Sequence, residues 1–190
     1  MTKPRLLGIS GSLRKASTNT AILKALAEAV ADRATLEIFP LNDIPLYDQD
    51  IDVDPLPASI LAFRDAIAAA DGVVIASPEY NYGMSGVLKN ALDWASRPYG
   101  KAKLTGKPVL TITASAASTG GVRAQGQLNE TLTAIAALVV LRPQSVIGSV
   151  FQKMTDGKFT DETSLKFLTD AIDDLLRDIA KTQVVVKQES

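Results

Sequence analysis

An open, doubly wound α/β fold, with a five-stranded parallel sheet covered by helices on both faces, is what this chain of 190 residues predicts, on three observations. Short runs that are apolar throughout, such as Leu6-Leu7-Gly8-Ile9 and Val73-Val74-Ile75-Ala76, read as strands buried on both faces. Segments with apolar residues at helical spacing separate these runs, and right-handed crossovers between parallel strands leave few topologies open. No internal repeat or linker divides the chain, so one domain over 1–190 is expected.

The elements follow in order. After the first strand, a helix from about Ser17 to Ala31 carries Ile22, Leu23, Leu26 and Val30 on one face, with Lys24 and Glu28 opposite. Thr35 to Phe39 is a second strand. Pro40, Pro45, Pro55 and Pro57 then forbid regular structure over an acidic stretch, 40–57, with five aspartates and the apolar anchors Ile44, Leu46, Tyr47 and Ile51. A solvated connection, a packed lip over a site and a subunit contact are all open for it. A helix over Ser59 to Ala70, the strand Gly72–Ser77 and a helix over Gly86 to Ser96 come next, with Pro98 just past the last. Pro108–Thr113 is the fourth strand, Val122 to Ala137 a helix, Val139-Val140-Leu141 the fifth strand, and Thr163 to Lys181 the final helix.

Composition narrows the chemistry. The net charge of −1 and scattered basic residues give no electrostatic footprint for nucleic acid. No apolar run approaches the ~18 residues of a membrane span, and the N-terminus leads directly into a strand, so a cytoplasmic location without membrane insertion is expected. With no cysteine and no histidine there is no thiolate, iron–sulfur cluster, Ser-His-Asp triad or imidazole metal ligand. An organic cofactor that carries the reaction while the protein holds it fits that composition.

Three loops leave the carboxyl ends of apolar strands, where open parallel sheets bind ligands. Loop one, Ser10 to Asn19, places hydroxyls, an amide, Arg14 and Lys15 before a helix N-terminus, the environment that favours a phosphate. It is neither a Walker loop nor a GxGxxG turn. Loop two, Ser77 to Gly86, offers two aromatics, an amide and glycines that let a flat ring approach the backbone. Loop three runs from Ala114 to Arg123. The three should converge on a flavin mononucleotide, with its phosphate on loop one and its ring along loop two.

Ser-Gly-Ser-Leu-Arg-Lys-Ala-Ser-Thr-Asn at 10–19, Ser-Pro-Glu-Tyr-Asn-Tyr at 77–82 and Asp93-Trp94-Ala95-Ser96-Arg97 resemble the motifs of the NAD(P)H-dependent FMN reductases, the family of quinone, azo and chromate reductases. The resemblance implies a flavodoxin-like sheet of order 2-1-3-4-5, noncovalent FMN, NADPH or NADH as hydride donor, and a small acceptor such as a quinone, azo compound, chromate or flavin. It also implies a homodimer or homotetramer with sites near the subunit interface. By motif position, Ser12, Leu13, Arg14, Ser17, Thr18 and Asn19 bind the phosphate end. Pro78, Glu79, Tyr80, Asn81 and Tyr82 line the ring, Ser115 completes the pocket, and Arg97 helps receive the nicotinamide nucleotide. No side chain is assigned a catalytic role, because FMN carries the chemistry, and no metal is expected.

Simpler roles compete for several of these residues. Ser17 or Thr18 caps the first helix, Glu79 pairs with Lys89, Trp94 packs in the core, and Tyr47 is either core anchor or site lip. An FMN-binding electron carrier without a nucleotide site is the alternative function, although such carriers are usually strongly acidic. Three departures from the family pattern stand out: Ser85 where proline is common, Gly126 in place of an aromatic and Gln144 in place of glutamate. The first predicts a looser turn into the third helix; the other two weaken the case for a tetramer.

Overall fold

Strand residues divide alternately between two cores, and that division fixes the layers. The computed structural model describes residues 3–188. Strands β1 (Arg5–Ser10), β2 (Thr35–Phe39), β3 (Gly72–Ser77) and β6 (Pro108–Ala114) are parallel neighbours in the order β2-β1-β3-β6. Between β3 and β6 lie the two-residue strands β4 (Glu79–Tyr80) and β5 (Gly83–Met84), which form a hairpin within loop two. Helices α1 (Thr18–Ala29) and α5 (Glu162–Gln188) cover one face, and α2 (Ala58–Ala69), α3 (Gly86–Ala95) and α4 (Val122–Ala134) the other. Val74, Ala76, Leu110 and Ile112 point toward α1 and α5, packing on Leu23, Leu26, Ile172 and Leu175. Val73, Ile75 and Val109 point the other way, onto Phe63, Leu88, Leu92 and Leu128. Each fully buried aliphatic side chain contributes about 1.5–3 kcal/mol.

The sheet has the flavodoxin-like order, but its fifth place differs from the expected Val139-Val140-Leu141. Two short strands share it: β7 (Leu138–Val139) pairs with the start of β6 and β8 (Ser145–Ile147) with its end. Pro143 has no N–H to donate to the ladder, and the chain leaves it there. Leu141 is 97% exposed, while Arg142 turns inward to pair with Asp174 of α5 at 2.7 Å. Helix α4 also stops three residues before the expected Ala137, because Ala136 adopts left-handed backbone with φ 60°.

The acidic stretch is pinned at a few points and exposed between them: Leu46 and Ile51, expected as anchors, are 83% and 40% exposed. Tyr47 N donates to Asn90 Oδ1 at 2.7 Å, and the Pro45 carbonyl accepts from Asn90 Nδ2 and Trp94 Nε1. Arg64 and Asp52 form a 2.7 Å ion pair, each side chain 11% exposed. Trp94 is fully buried, with Tyr47 edge-on at 4.9 Å, so both are core anchors. One 3₁₀ turn, Gln49–Ile51, is the regular structure within this stretch.

After β8, the hairpin β9 (Met154–Thr155) and β10 (Lys158–Phe159) leads into α5. Asp161 caps that helix: its carboxylate accepts from Ser164 N at 2.9 Å and from Lys153 Nζ at 3.0 Å. Hydrogen bonding by Ser164, then by Lys153, lowers its pKa from 3.8 to about 2. A depressed carboxyl pKa stabilises the fold above the unfolded value, and that stability is lost as pH falls from about 4 toward 2. Asp161→Ala is therefore expected to cost about 1 kcal/mol near neutral pH. The gap between its urea midpoint and that of the parent should close over the same acid range.

Candidate functional site

Loop one is held from below and from the side. Gly11 N donates to the Ala76 carbonyl at 2.8 Å, extending the β1–β3 ladder by one residue. A Cβ on Gly11 would lie 2.9 Å from Ser85 Oγ and 3.3 Å from Pro78 Cδ, so loops one and two touch only because no side chain intervenes. Ser85 is buried; its hydroxyl donates to the Gly11 carbonyl at 2.6 Å and accepts from Leu88 N at 3.3 Å. The looser turn expected at this position is thus corrected: the serine caps α3 and ties it to loop one, which a proline could not do.

Ser17 is the N-cap of α1 and accepts from Thr20 N at 3.2 Å, whereas Thr18 lies in the first turn. Thr20 Oγ1 donates to Ser10 Oγ at 2.8 Å, anchoring the helix start to β1. No acidic side chain stands in that first turn, which leaves the positive end of the helix to a ligand. Asn19, 2% exposed, donates Nδ2 to the Ala114 carbonyl at 3.4 Å, and its buried Oδ1 has no partner. A buried acceptor of that kind is stabilised by a hydroxyl or N–H from whatever occupies the site.

Loop two is the β4–β5 hairpin, whose two central residues, Asn81 and Tyr82, both have positive φ, 50° and 68°. That is the backbone of a primed hairpin turn, tolerated by asparagine and strained for tyrosine. The guanidinium of Arg123 lies 4.3 Å from the Tyr82 ring centroid and holds it outward, 71% exposed. Glu79 does not pair with Lys89, which binds Asp93 at 2.8 Å. Its carboxylate accepts from Arg123 N and Ala124 N, both at 3.0 Å, capping α4, whose own N-cap, Gly121, has no side chain to do so. Loop two is also tied to α4 through Gln127, whose Oε1 accepts from Met84 N at 2.8 Å and lies 2.8 Å from where a Cβ on Gly83 would stand.

Loop three is braced by the segment after β8. Ser115 N donates to the Ile147 carbonyl, Val150 N to the Ser115 carbonyl, and Ser149 N to the Ala117 carbonyl, at 3.0–3.1 Å. Where the three loops meet lies a cavity of about 170 Å³. Ser12, Arg14, Ser17, Thr18, Asn19, Pro78, Glu79, Tyr80 and Ser115 line it together. Leu13, Asn81 and Tyr82 do not. Leu13 faces an adjoining groove with Tyr80, Gly86 and Val87, and the other two form the exposed hairpin tip. Arg97 lies elsewhere, in a cavity of about 590 Å³ that shares no lining residue with the first. Its guanidinium carbon stands 5.6 Å from the Tyr47 ring centroid, and its Nε is buried without a partner.

Ala114 and Ala116 of loop three complete the lining with Val150 and Phe151, which lie outside the three loops and which sequence reasoning missed. Gly148, just past the interrupted fifth strand, was the available signal for the last two. Among the described residues no group of His, Cys, Asp or Glu could hold a metal ion, and no helix is long and apolar enough to cross a membrane. The lining suits a ligand that carries an anion and hydroxyl groups at one end and leaves its bulk outside.

A family model described as NADPH-dependent FMN reductase matches residues 4–152. An NAD(P)H-dependent FMN reductase of Pseudomonas aeruginosa is 42% identical over 145 residues, 76% of this chain and 78% of that protein. A quinone reductase of Escherichia coli (strain K12) is 39% identical over 172 residues, 88% and 90% of the two chains. Among solved structures, the flavoenzyme NAD(P)H:acceptor oxidoreductase FerB from Paracoccus denitrificans aligns with a TM-score of 0.83 at 32% identity, covering 94% of this chain and 98% of that one.

Proposed function

The chain belongs to the NADPH-dependent FMN reductase family, and from that premise we propose that it binds FMN with the phosphate at the head of α1 and passes electrons from NAD(P)H to a quinone or another small acceptor. The single observation that carries the placement is the buried, unpartnered Oδ1 of Asn19 beside an uncompensated helix N-terminus. FMN matches both needs, since its phosphate is the anion and its ribityl chain bears hydroxyl donors. A cavity of about 170 Å³ is sized for that end of the molecule, with the three-ring system left to the open groove beside Leu13, Tyr80 and Val87.

When bound, FMN supplies the two-electron chemistry that links a reduced nicotinamide to an oxidised acceptor. The residues of the chain bind, orient and shield. Ser17 Oγ and the first-turn N–H groups of α1 face the anion, and the planar fork of Arg14 neutralises it. The Glu79 carboxylate is engaged at α4, so Glu79 offers the cofactor its backbone and holds loop two against loop three. Tyr80 and Phe151, 53% and 57% exposed, stand at the mouth and exclude water from one side of it. With no histidine or cysteine in the chain, the proton that accompanies acceptor reduction comes from water or from a phenol such as Tyr80 Oη.

Arg97 enters this reading across a subunit boundary. In a homodimer with sites near the interface, its cavity and unpartnered Nε serve a nucleotide held by the other subunit. Light scattering should then give a dimer, and a monomer would remove Arg97 from the site.

The reaction is tested by the absorbance of the purified FMN-loaded protein under anaerobic conditions, with NADPH and NADH in parallel. Bleaching of the flavin band by either nucleotide is expected. A band that persists with both would overturn the reductase reading in favour of an electron carrier.

A further inference from the structure

The loop-one wall of the cradle is polar, with Ser12, Arg14, Ser17, Thr18 and Asn19, whereas Phe151, carried on the 3₁₀ turn Val150–Lys153, brings an apolar ring to the mouth. We propose that Phe151 is the residue that retains FMN: it shields the phosphate end from water, and so slows release of the cofactor without affecting its capture. The proposal rests on the FMN placement given above.

A lone exposed apolar side chain needs no explanation, but Phe151 is set apart by where it stands. More than half of it is exposed, it belongs to neither core, and among the described residues no aromatic ring or guanidinium lies against it. Its uncovered apolar surface is left to whatever fills the cavity that it lines.

The turn that carries the ring is braced at both ends. Val150, the residue before it, is buried in the core on the α1 and α5 side, and its N–H donates to the Ser115 carbonyl at 3.0 Å. Ser149 donates to the Ala117 carbonyl at 3.1 Å and takes left-handed backbone, φ 50°, a sparsely populated conformation for a residue with a side chain. At the other end Lys153 Nζ pairs with Asp161 at 3.0 Å, and the Lys153 carbonyl accepts from Thr160 N at 3.0 Å. The backbone under Phe151 is thus fixed before a ligand arrives, which lowers the ordering cost of packing on one.

The chemistry beside the ring says what it does. Arg14 is exposed, so its bond to a phosphate competes with water and with salt unless the contact is covered. An apolar side chain at the edge of such a contact excludes water and strengthens the charge-assisted bond behind it. Encounter depends on diffusion and on the field of the cations, which an uncharged ring leaves alone, so the effect falls on release. The flavin then stays in place through turnover, and the acceptor comes to it.

The test follows flavin fluorescence after dilution of the FMN-loaded protein, at low and at high NaCl, and measures capture by mixing FMN with the cofactor-free protein. Phe151→Ala should release FMN about tenfold faster, with a capture rate within about twofold of the parent, and Phe151→Leu, which keeps apolar bulk, should fall between. Release from the parent should change little with salt, whereas release from Phe151→Ala should speed up, because its phosphate contact is open to counterions. The side chain is exposed, so the parent and both variants should melt alike without cofactor, which separates the effect from a loss of fold. Unchanged release, a change confined to capture, or faster release with no response to salt would each overturn the proposal. Failure of the FMN placement looks different: the parent would take up no FMN, or Arg14→Ala would hold it as tightly as the parent does.

Discussion

Arg14→Ala is expected to weaken FMN binding by about tenfold to a hundredfold while leaving the stability of the cofactor-free protein nearly unchanged. A charge-assisted bond to phosphate contributes about 1.5–3 kcal/mol, and each 1.4 kcal/mol is about a factor of ten in Kd. The fold does not depend on this side chain. Arg14 is exposed, and its structural hydrogen bonds run through the backbone, N–H to Ser12 Oγ and carbonyl from Ser17 N. Those bonds survive truncation, so the effect isolates the guanidinium. Arg14→Lys keeps the charge, loses the fork, and should fall between the two. Fluorescence of FMN released on dilution measures the change. An unaltered Kd in Arg14→Ala would place the phosphate elsewhere than at the head of α1.

The same contrast between side chain and backbone explains what could be read from the chain before its fold was known. Runs such as Val73 to Ala76 declare themselves because a strand covered on both faces has no polar position, and every residue in that run is buried. Loop one stands out for a similar reason, with hydroxyls, an amide and a cation crowded between a strand and a helix, and Ser12, Arg14, Ser17, Thr18 and Asn19 line one cavity. Ser85 and Glu79 were not legible. Ser85 bonds to Gly11, 74 positions away, and Glu79 caps a helix that starts more than 40 positions later. Only the sheet order brings these partners together, and no local periodicity encodes it. Tyr82 was assigned to the ring wall on its residue type, yet the primed hairpin turn points it away from the cavity, toward Arg123. The fifth strand is legible only in part: Val139 lies in β7 and Val140 N still donates to the Val109 carbonyl, but Leu141 is exposed and the return of the chain to β6 at Ser145–Ile147 has no local signal. Where a residue's role depended on the elements next to it in sequence, the chain displayed it; where it depended on a distant loop, the fold had to be seen.

Gly148→Ala and Gly126→Ala add the same methyl group and should move stability in opposite directions. Gly148 follows β8 and faces the turn of loop three. A Cβ there would overlap the Ser118 carbonyl oxygen, closer than real contacts allow, and Gly120 approaches the same backbone from the other side with φ 65°. Backbone cannot rotate out of the way as a side chain can, so loop three has to move. The expected cost is about 2–3 kcal/mol, a fall in Tm of roughly 5–10 °C for a chain of this size. Because Ser115 and Ala116 of that loop line the cradle, FMN retention should fall with it. Gly126 sits within α4, exposed, with nothing within 4 Å of a Cβ. Alanine there removes the entropic penalty of glycine in a helix, worth about 0.5–1 kcal/mol, and should raise Tm by roughly 2–3 °C. Thermal melts of the two variants, with and without FMN, decide the matter. If Gly148→Ala melts like the parent and keeps its cofactor, the close approach of β8 to loop three is not what shapes the third wall of the site.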